Sequence, residues 1–317
     1  MSEQIEQIIL YLHELENKID ERAQLIRSKN PNSEIEKELI HMLGTEQMNY
    51  KICAVDSGLL AREAQGYDVV LTKTVGVSFV YQYSKLVSCK HHPSIAPETK
   101  LHVSHSLDEH EVLISRNLIR LNEEIENAIE LVDKFSPDIV MIDGSLVPLP
   151  NDRPDEKSLL FENYKKTIEN YKKLFAKNVM VIGVTKDTRS KRFAHEFGVE
   201  FCGDIGLMHH MLNENERTFA MTYSEKKTPV LKDLEAKIYF FYMRPLGDDT
   251  PIRVEFLTKE FDKVATIVQS LSKISRSYAY PAVLIEADLR AALNPIEMEK
   301  LDKLNLRPLR RNSRPFR

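Results

Sequence analysis

The sequence predicts an α/β fold, a mixed sheet flanked by helices and entered through an N-terminal helical arm. Three observations support this. Strand-like segments follow one another at Tyr50–Asp56, Asp68–Tyr83 and Leu101–Ser106; from Glu109 onward helical and strand-like segments alternate; and everything before Asn49 has a helical pattern.

The arm comes first. Over residues 3–28, Ile5, Ile8, Ile9, Leu12, Leu15 and Ile19 recur along one helical face. Asn30-Pro31-Asn32-Ser33 breaks that helix, and Ser33 is placed to cap a second, short one ending near Leu43. Residues 1–48 are therefore expected to form a dimerisation or docking arm. In 68–83, Val69, Val70, Leu71, Val75, Val77 and Val80 predict a pair of strands around Gly76. Glu109–Lys134 is a long helix with Ile114, Leu118, Leu121, Ile125, Ala128, Ile129 and Val132 on one face. Asp138–Asp143 is a buried strand, and Pro-rich 147–154 is a loop beside it. Helix at 156–177, strand at 179–184 and helix at 189–197 follow. Residues 236–243 and 252–257 read as a hairpin, with helices at 261–275, 284–293 and 295–304. The main domain is expected to span 49–305, with a basic tail over 306–317.

Composition narrows the class. Of 317 residues, 42% are apolar and 29% charged, enough for a sizeable core in an ordinary globular chain. Net charge is −4, so nucleic acid can be met only through local positive patches. One such patch is the tail, with Arg307, Arg310, Arg311, Arg314 and Arg317 and no acid. No apolar run is long enough to cross a bilayer, Met1-Ser2-Glu3-Gln4 does not begin a signal peptide, and three scattered cysteines make no disulfide framework. A cytoplasmic location is expected. No Walker A loop and no Gly-x-Gly-x-x-Gly occurs, so any motor is a separate protein.

The chemistry-bearing segments are Ile52-Cys53-Ala54-Val55-Asp56-Ser57-Gly58 and Ile139-Val140-Met141-Ile142-Asp143-Gly144-Ser145-Leu146. Each is a buried strand that delivers an aspartate into a small-residue turn. Taken singly, such an aspartate is often only a turn former or cap. Two of them, on neighbouring strands, can share a divalent cation and assist phosphoryl chemistry. The acids Glu123, Glu124, Glu126 and Glu130 lie away from the apolar stripe of the long helix and read as a solvated face. Lys186, with Arg189, Lys191 and Arg192 after it, is either a phosphate-holding cluster or a charged helix start. Cys89-Lys90-His91-His92 and His102-Val103-Ser104-His105 fit no closed zinc spacing and read as surface loops.

Ala54–Gly58, Met141–Leu146, Val184–Ser190 and Tyr280–Ala287, in that order and at those separations, resemble the NurA family of DNA-end-processing nucleases. The resemblance runs from about Tyr50 to about Leu293. It implies an RNase H-like core and a Mn²⁺-dependent (or Mg²⁺-dependent) 5′-to-3′ exonuclease with single-strand endonuclease activity. It also implies a homodimer acting with a HerA-type hexameric ATPase on DNA ends, by two-metal hydrolysis. Carried over residue by residue, Asp56 is the central metal ligand and Asp143 the second. The helix-borne glutamate falls on Glu123, with Glu124 its rival. Tyr280 matches the family's catalytic tyrosine, and Lys186 and Arg189 take DNA phosphate. Where the family commonly has histidine, eight residues after that tyrosine, this chain has Asp288, which serves as a cation ligand; Glu286 is an alternative. That departure leaves a competing reading open, a catalytically inactive DNA clamp. Another RNase H-like nuclease or resolvase is a second alternative.

Overall fold

The computed structural model describes residues 3–64, 66–105, 107–222, 238–274 and 278–294, with Ile296, Glu297, Glu299 and Lys303. In chain order the elements are α1 (Glu3–Arg27), β1 (Ile40–Met42), β2 (Lys51–Ala64), β3 (Tyr67–Gln82), β4 (Lys85–His92) and β5 (Lys100–His105). Then come α2 (Glu109–Phe135), β6 (Ile139–Asp143), α3 (Phe161–Phe175), β7 (Met180–Thr185), α4 (Arg192–Glu196) and α5 (Asp204–Met211). Last are β8 (Glu216–Thr218), β9 (Met221–Thr222), β10 (Tyr239–Arg244), β11 (Ile252–Phe256), α6 (Phe261–Ser272) and α7 (Ala282–Ala291). They fall into two compact units interleaved along the chain. The arm unit comprises Met1–Glu46, Val184–Ser224 and Ile238–Pro281; the core unit comprises Gln47–Gly183, Glu225–Lys237 and Ala282–Arg317.

In the core unit β2, β3 and β4 form an antiparallel meander, and β6 joins β2 in parallel with Ile52 opposite Ile139 and Val55 opposite Ile142. β7 lies beyond β6, giving the order β4-β3-β2-β6-β7. A meander followed by strands added through helical crossovers is an RNase H-like core, as the sequence predicts. Ile52, Cys53, Ala54 and Val55 are all fully buried, because α2 covers one face of β2 and α7 the other. The start of α2 is fixed by a capping box in which Asp108 accepts from the His110 and Glu111 amides, while Glu111 accepts from the Asp108 amide.

In the arm unit β8 pairs with β1 and β10, and β10 with β9 and β11, all antiparallel. The second half of α1 buries Ile19, Ala23 and Ile26 in a cluster with Phe193, Leu207, Met208 and Phe240. Arg27 clamps Glu216 with two hydrogen bonds of 2.6 and 2.7 Å. The first half of α1 leaves Ile5, Ile8 and Leu12 exposed. Of the expected hairpin, the described residues form β10 and β11, paired antiparallel. Among the described residues no helix is long and apolar enough to cross a membrane.

Four local expectations are corrected. The short helix from Ser33 does not form; Ile40-His41-Met42 instead pairs with Thr218, Arg217 and Glu216, since a neighbouring strand edge outweighs weak helical propensity. The segment around Gly76 is one continuous strand, because Gly76 gives α2 room: a Cβ there would meet the Leu131 side chain at 2.6 Å. Cys89-Lys90-His91-His92 is the end of β4, not a loop. β2 also runs on to Ala64, so Asp56 does not precede a turn. The basic tail at 306–317 and most of the helix expected at 295–304 lie outside the described residues.

Candidate metal centre

Asp56 sits mid-strand opposite Val75 and is 7% exposed. β2 can continue past it because of Gly58: α7 crosses so closely that a Cβ at this position would strike the Ala291 carbonyl oxygen. Asp143 is the last residue of β6, and Gly144 turns the chain with φ +112°, a conformation that side chains resist. The two aspartates each lie one residue beyond the last parallel pair, Val55 and Ile142, so they leave the sheet at one level. Their proximity registers electrostatically. Burial, with the charge of Asp143, pushes the Asp56 carboxyl up to about 7, and the charge of Asp288 on α7 adds to the shift.

α2 contributes two consecutive glutamates with opposite environments. Glu124 is 1% exposed, and neither carboxylate oxygen has a hydrogen-bond partner. Burial raises it to about 8; Arg120, 3.5 Å away, opposes the rise, while Asp56 and Asp143 reinforce it. Glu123 accepts from Thr74 Oγ1 at 2.7 Å and bonds His102 Nε2 at 3.0 Å. Burial works against its charge, yet these hydrogen bonds and Lys100 hold it down at about 2. Both glutamates are buried because α2 packs against β2 and β3 on one side and α3 on another. The expected solvated acidic face is thus overturned at Glu123 and Glu124, and holds at Glu130, 63% exposed.

The structure therefore gathers Asp56, Asp143, Glu124 and Asp288 into one electrostatic cluster. Glu123 lies beside it, satisfied by protein donors. Glu286 points elsewhere, to His91 and Arg290. Tyr280, Lys186 and Arg189 belong to the arm unit. The Tyr280 ring is buried, its hydroxyl donates to the Val184 carbonyl at 2.8 Å, and the Lys186 ammonium lies 3.9 Å from its centroid. Arg189 is exposed.

Clustered carboxylates suit a hard divalent cation of the Mg²⁺ or Mn²⁺ kind. The oxygens of Glu124 have no hydrogen bond and meet Arg120 only at 3.5 Å, which favours such an occupant, since a buried carboxylate is costly without close partners. Sequence reasoning missed Arg120, a cation whose charge reaches Glu124, Asp56, Asp143 and Asp152. Its position four residues before Glu124 was the available signal.

The NurA domain model matches residues 50–293. No curated protein matches the sequence. Among solved structures, the NurA nuclease from Sulfolobus solfataricus is 16% identical with TM-score 0.63, the alignment covering 96% of each chain. A NurA bound to dAMP and manganese is 10% identical with TM-score 0.63 over 98% of each chain. A NurA with manganese is 11% identical with TM-score 0.62, over 98% of this chain and 100% of that one. At these identities the likeness is one of fold.

Proposed function

The chain belongs to the NurA family, and on that premise we propose that it is a metal-dependent DNA nuclease using Mn²⁺, with Mg²⁺ as a substitute. The observation that carries this reading is the convergence of Asp56, Asp143 and Glu124, the last with both oxygens buried and unsatisfied. Manganese in related NurA structures, one of them with dAMP, supports it.

Asp56, Asp143 and Asp288 would hold the cation from β2, β6 and α7, with Glu124 approaching from α2. The donor set is large enough to be shared between two ions. A bound divalent cation would supply Lewis-acid polarisation of the phosphodiester and a water acidic enough to attack at neutral pH. Arg120 counters the carboxylate charge and keeps the cluster folded before loading. Asp288 takes the family histidine's place as an oxygen donor; its charge reaching Asp56 favours the nuclease over the inactive clamp. Glu123 positions α2 against β3. Lys186 and Arg189 contact DNA phosphate, which carries no base information, so cleavage is sequence-tolerant. The ring face of Tyr280 orients Lys186.

Finer expectations from the family join this proposal: 5′-to-3′ exonuclease and single-strand endonuclease action, a homodimer, and work with a HerA-type hexameric ATPase. Exposed Ile5, Ile8 and Leu12 on α1 support a pairing or docking role for the arm. Sedimentation velocity reads the dimer. The decisive experiment follows end-labelled DNA with Mn²⁺. Wild type degrades it and Asp56→Ala does not; equal degradation by both overturns the assigned centre.

A further inference from the structure

We propose that Cys89, His91 and Glu286 form a second cation site, for a thiolate-preferring divalent ion of the zinc type, separate from the carboxylate cluster. The inference does not rest on the nuclease reading.

Cys89 and His91 are two residues apart on β4, so both side chains leave the same face of the sheet. His92 leaves the other face, where it bonds Glu130 on α2. The third ligand comes from α7: Glu286 Oε1 lies 2.9 Å from His91 Nε2, and Cys89 Sγ lies 3.9 Å from that same nitrogen. All three donor atoms fall within 4.8 Å of one another. Zinc bonds of about 2.3 Å to sulfur and about 2.0–2.2 Å to nitrogen and oxygen set tetrahedral ligand atoms roughly 3.3–3.6 Å apart. The observed separations bracket that range, so small side-chain rotations bring the three donors onto one ion.

The thiol and the Glu286 carboxylate both reach the same imidazole nitrogen, so one ion set among the three donors would replace both of those hydrogen bonds. Sulfur also decides the metal. Thiolate and imidazole suit zinc-like ions, whereas Mg²⁺ and Mn²⁺ prefer oxygen, so the two sites sort cations by softness. Arg290 Nε donates to Glu286 Oε1 at 2.8 Å, an outer partner that orients the carboxylate. Three protein ligands leave a fourth position open, and Cys89 is exposed, so that position faces solvent.

On binding, the Cys89 thiol loses its proton to solvent, and the imidazole carries its own on Nδ1, freeing Nε2. Because binding releases that proton, affinity climbs with pH. An ion here would tie α7 to β4, the edge strand of the core unit. α7 also carries Asp288, so loading this site would steady a ligand of the other.

The test uses the full chain, stripped with a chelator, reduced and titrated with Co²⁺. Thiolate bound to cobalt produces a charge-transfer band in the near ultraviolet that carboxylate-bound cobalt lacks. The proposal expects this band to saturate at one equivalent, to be displaced by Zn²⁺ and to survive a tenfold excess of Mn²⁺. Cys89→Ser abolishes it, His91→Ala weakens cobalt binding at least about tenfold, and Cys202→Ser and Asp56→Ala leave it intact. No band in wild type, a band that persists in Cys89→Ser, or one lost in Asp56→Ala overturns the assignment.

Discussion

A buried carboxyl without a hydrogen bond is costly, and Glu124 is one, with the Arg120 guanidinium 3.5 Å away; its neighbour Glu123 is held by Thr74 and His102. On the proposed nuclease reading, this contrast assigns the two different roles. Glu124→Gln should lower Mn²⁺-dependent DNA degradation by at least about 100-fold, and Glu123→Gln by no more than about tenfold. Rates measured at saturating Mn²⁺ check this, and a larger loss in Glu123→Gln would return the role to Glu123. The residue scale also covers Lys186. Lys186→Ala should weaken DNA binding across all sequences and reduce the slope of log affinity against log salt by about one contact's worth. An unchanged slope in fluorescence anisotropy removes Lys186 from the phosphate path.

At the element scale, two glycines set how closely helices approach the sheet. Gly76 admits α2 and Gly58 admits α7, and each helix carries part of the cluster. Gly58→Ala must move backbone, because the obstacle is the Ala291 carbonyl rather than a flexible side chain. It should cost about 1–3 kcal/mol by urea unfolding and reduce activity further, through displaced Asp288. Full stability in this variant would mean that α7 packs more loosely than the structure describes. Such glycines are legible in sequence only as interruptions. Gly76 looked like a turn between two strands, because a helix passing overhead leaves no mark on strand periodicity. Likewise, β1 gains its hydrogen bonds from Glu216–Thr218, residues whose proximity local propensity cannot report.

At the scale of the whole molecule, the cluster couples stability to pH and to cations. Asp56 and Glu124 keep protons in the folded state up to about 7 and about 8, whereas the unfolded chain releases them near ordinary carboxylate values. The folded state therefore binds more protons between about pH 4 and pH 8, and metal-free stability falls as pH rises through that window. Mn²⁺ binds the ionised form, so its stabilisation grows over the same range, reaching about 2.7 kcal/mol at one hundred times its dissociation constant. Thermal melts with Mn²⁺ or chelator at about pH 6 and pH 8 check both trends. Asp56→Asn should flatten the metal-free slope, and a flat slope in wild type would mean the carboxylates do not repel as the structure implies. The sequence by itself gave grounds for the α/β class and the two aspartate-bearing strands and, through its resemblance to NurA, for the RNase H-like core and the cation, because buried strands and short motifs are local signals. Only the tertiary structure brought the charges of Glu124 and Asp56 to bear on each other, stood Arg120 against the acids, and set a helical glutamate beside Cys89 and His91. Each of those depends on what is packed opposite a side chain, and that neighbour comes from a distant part of the chain.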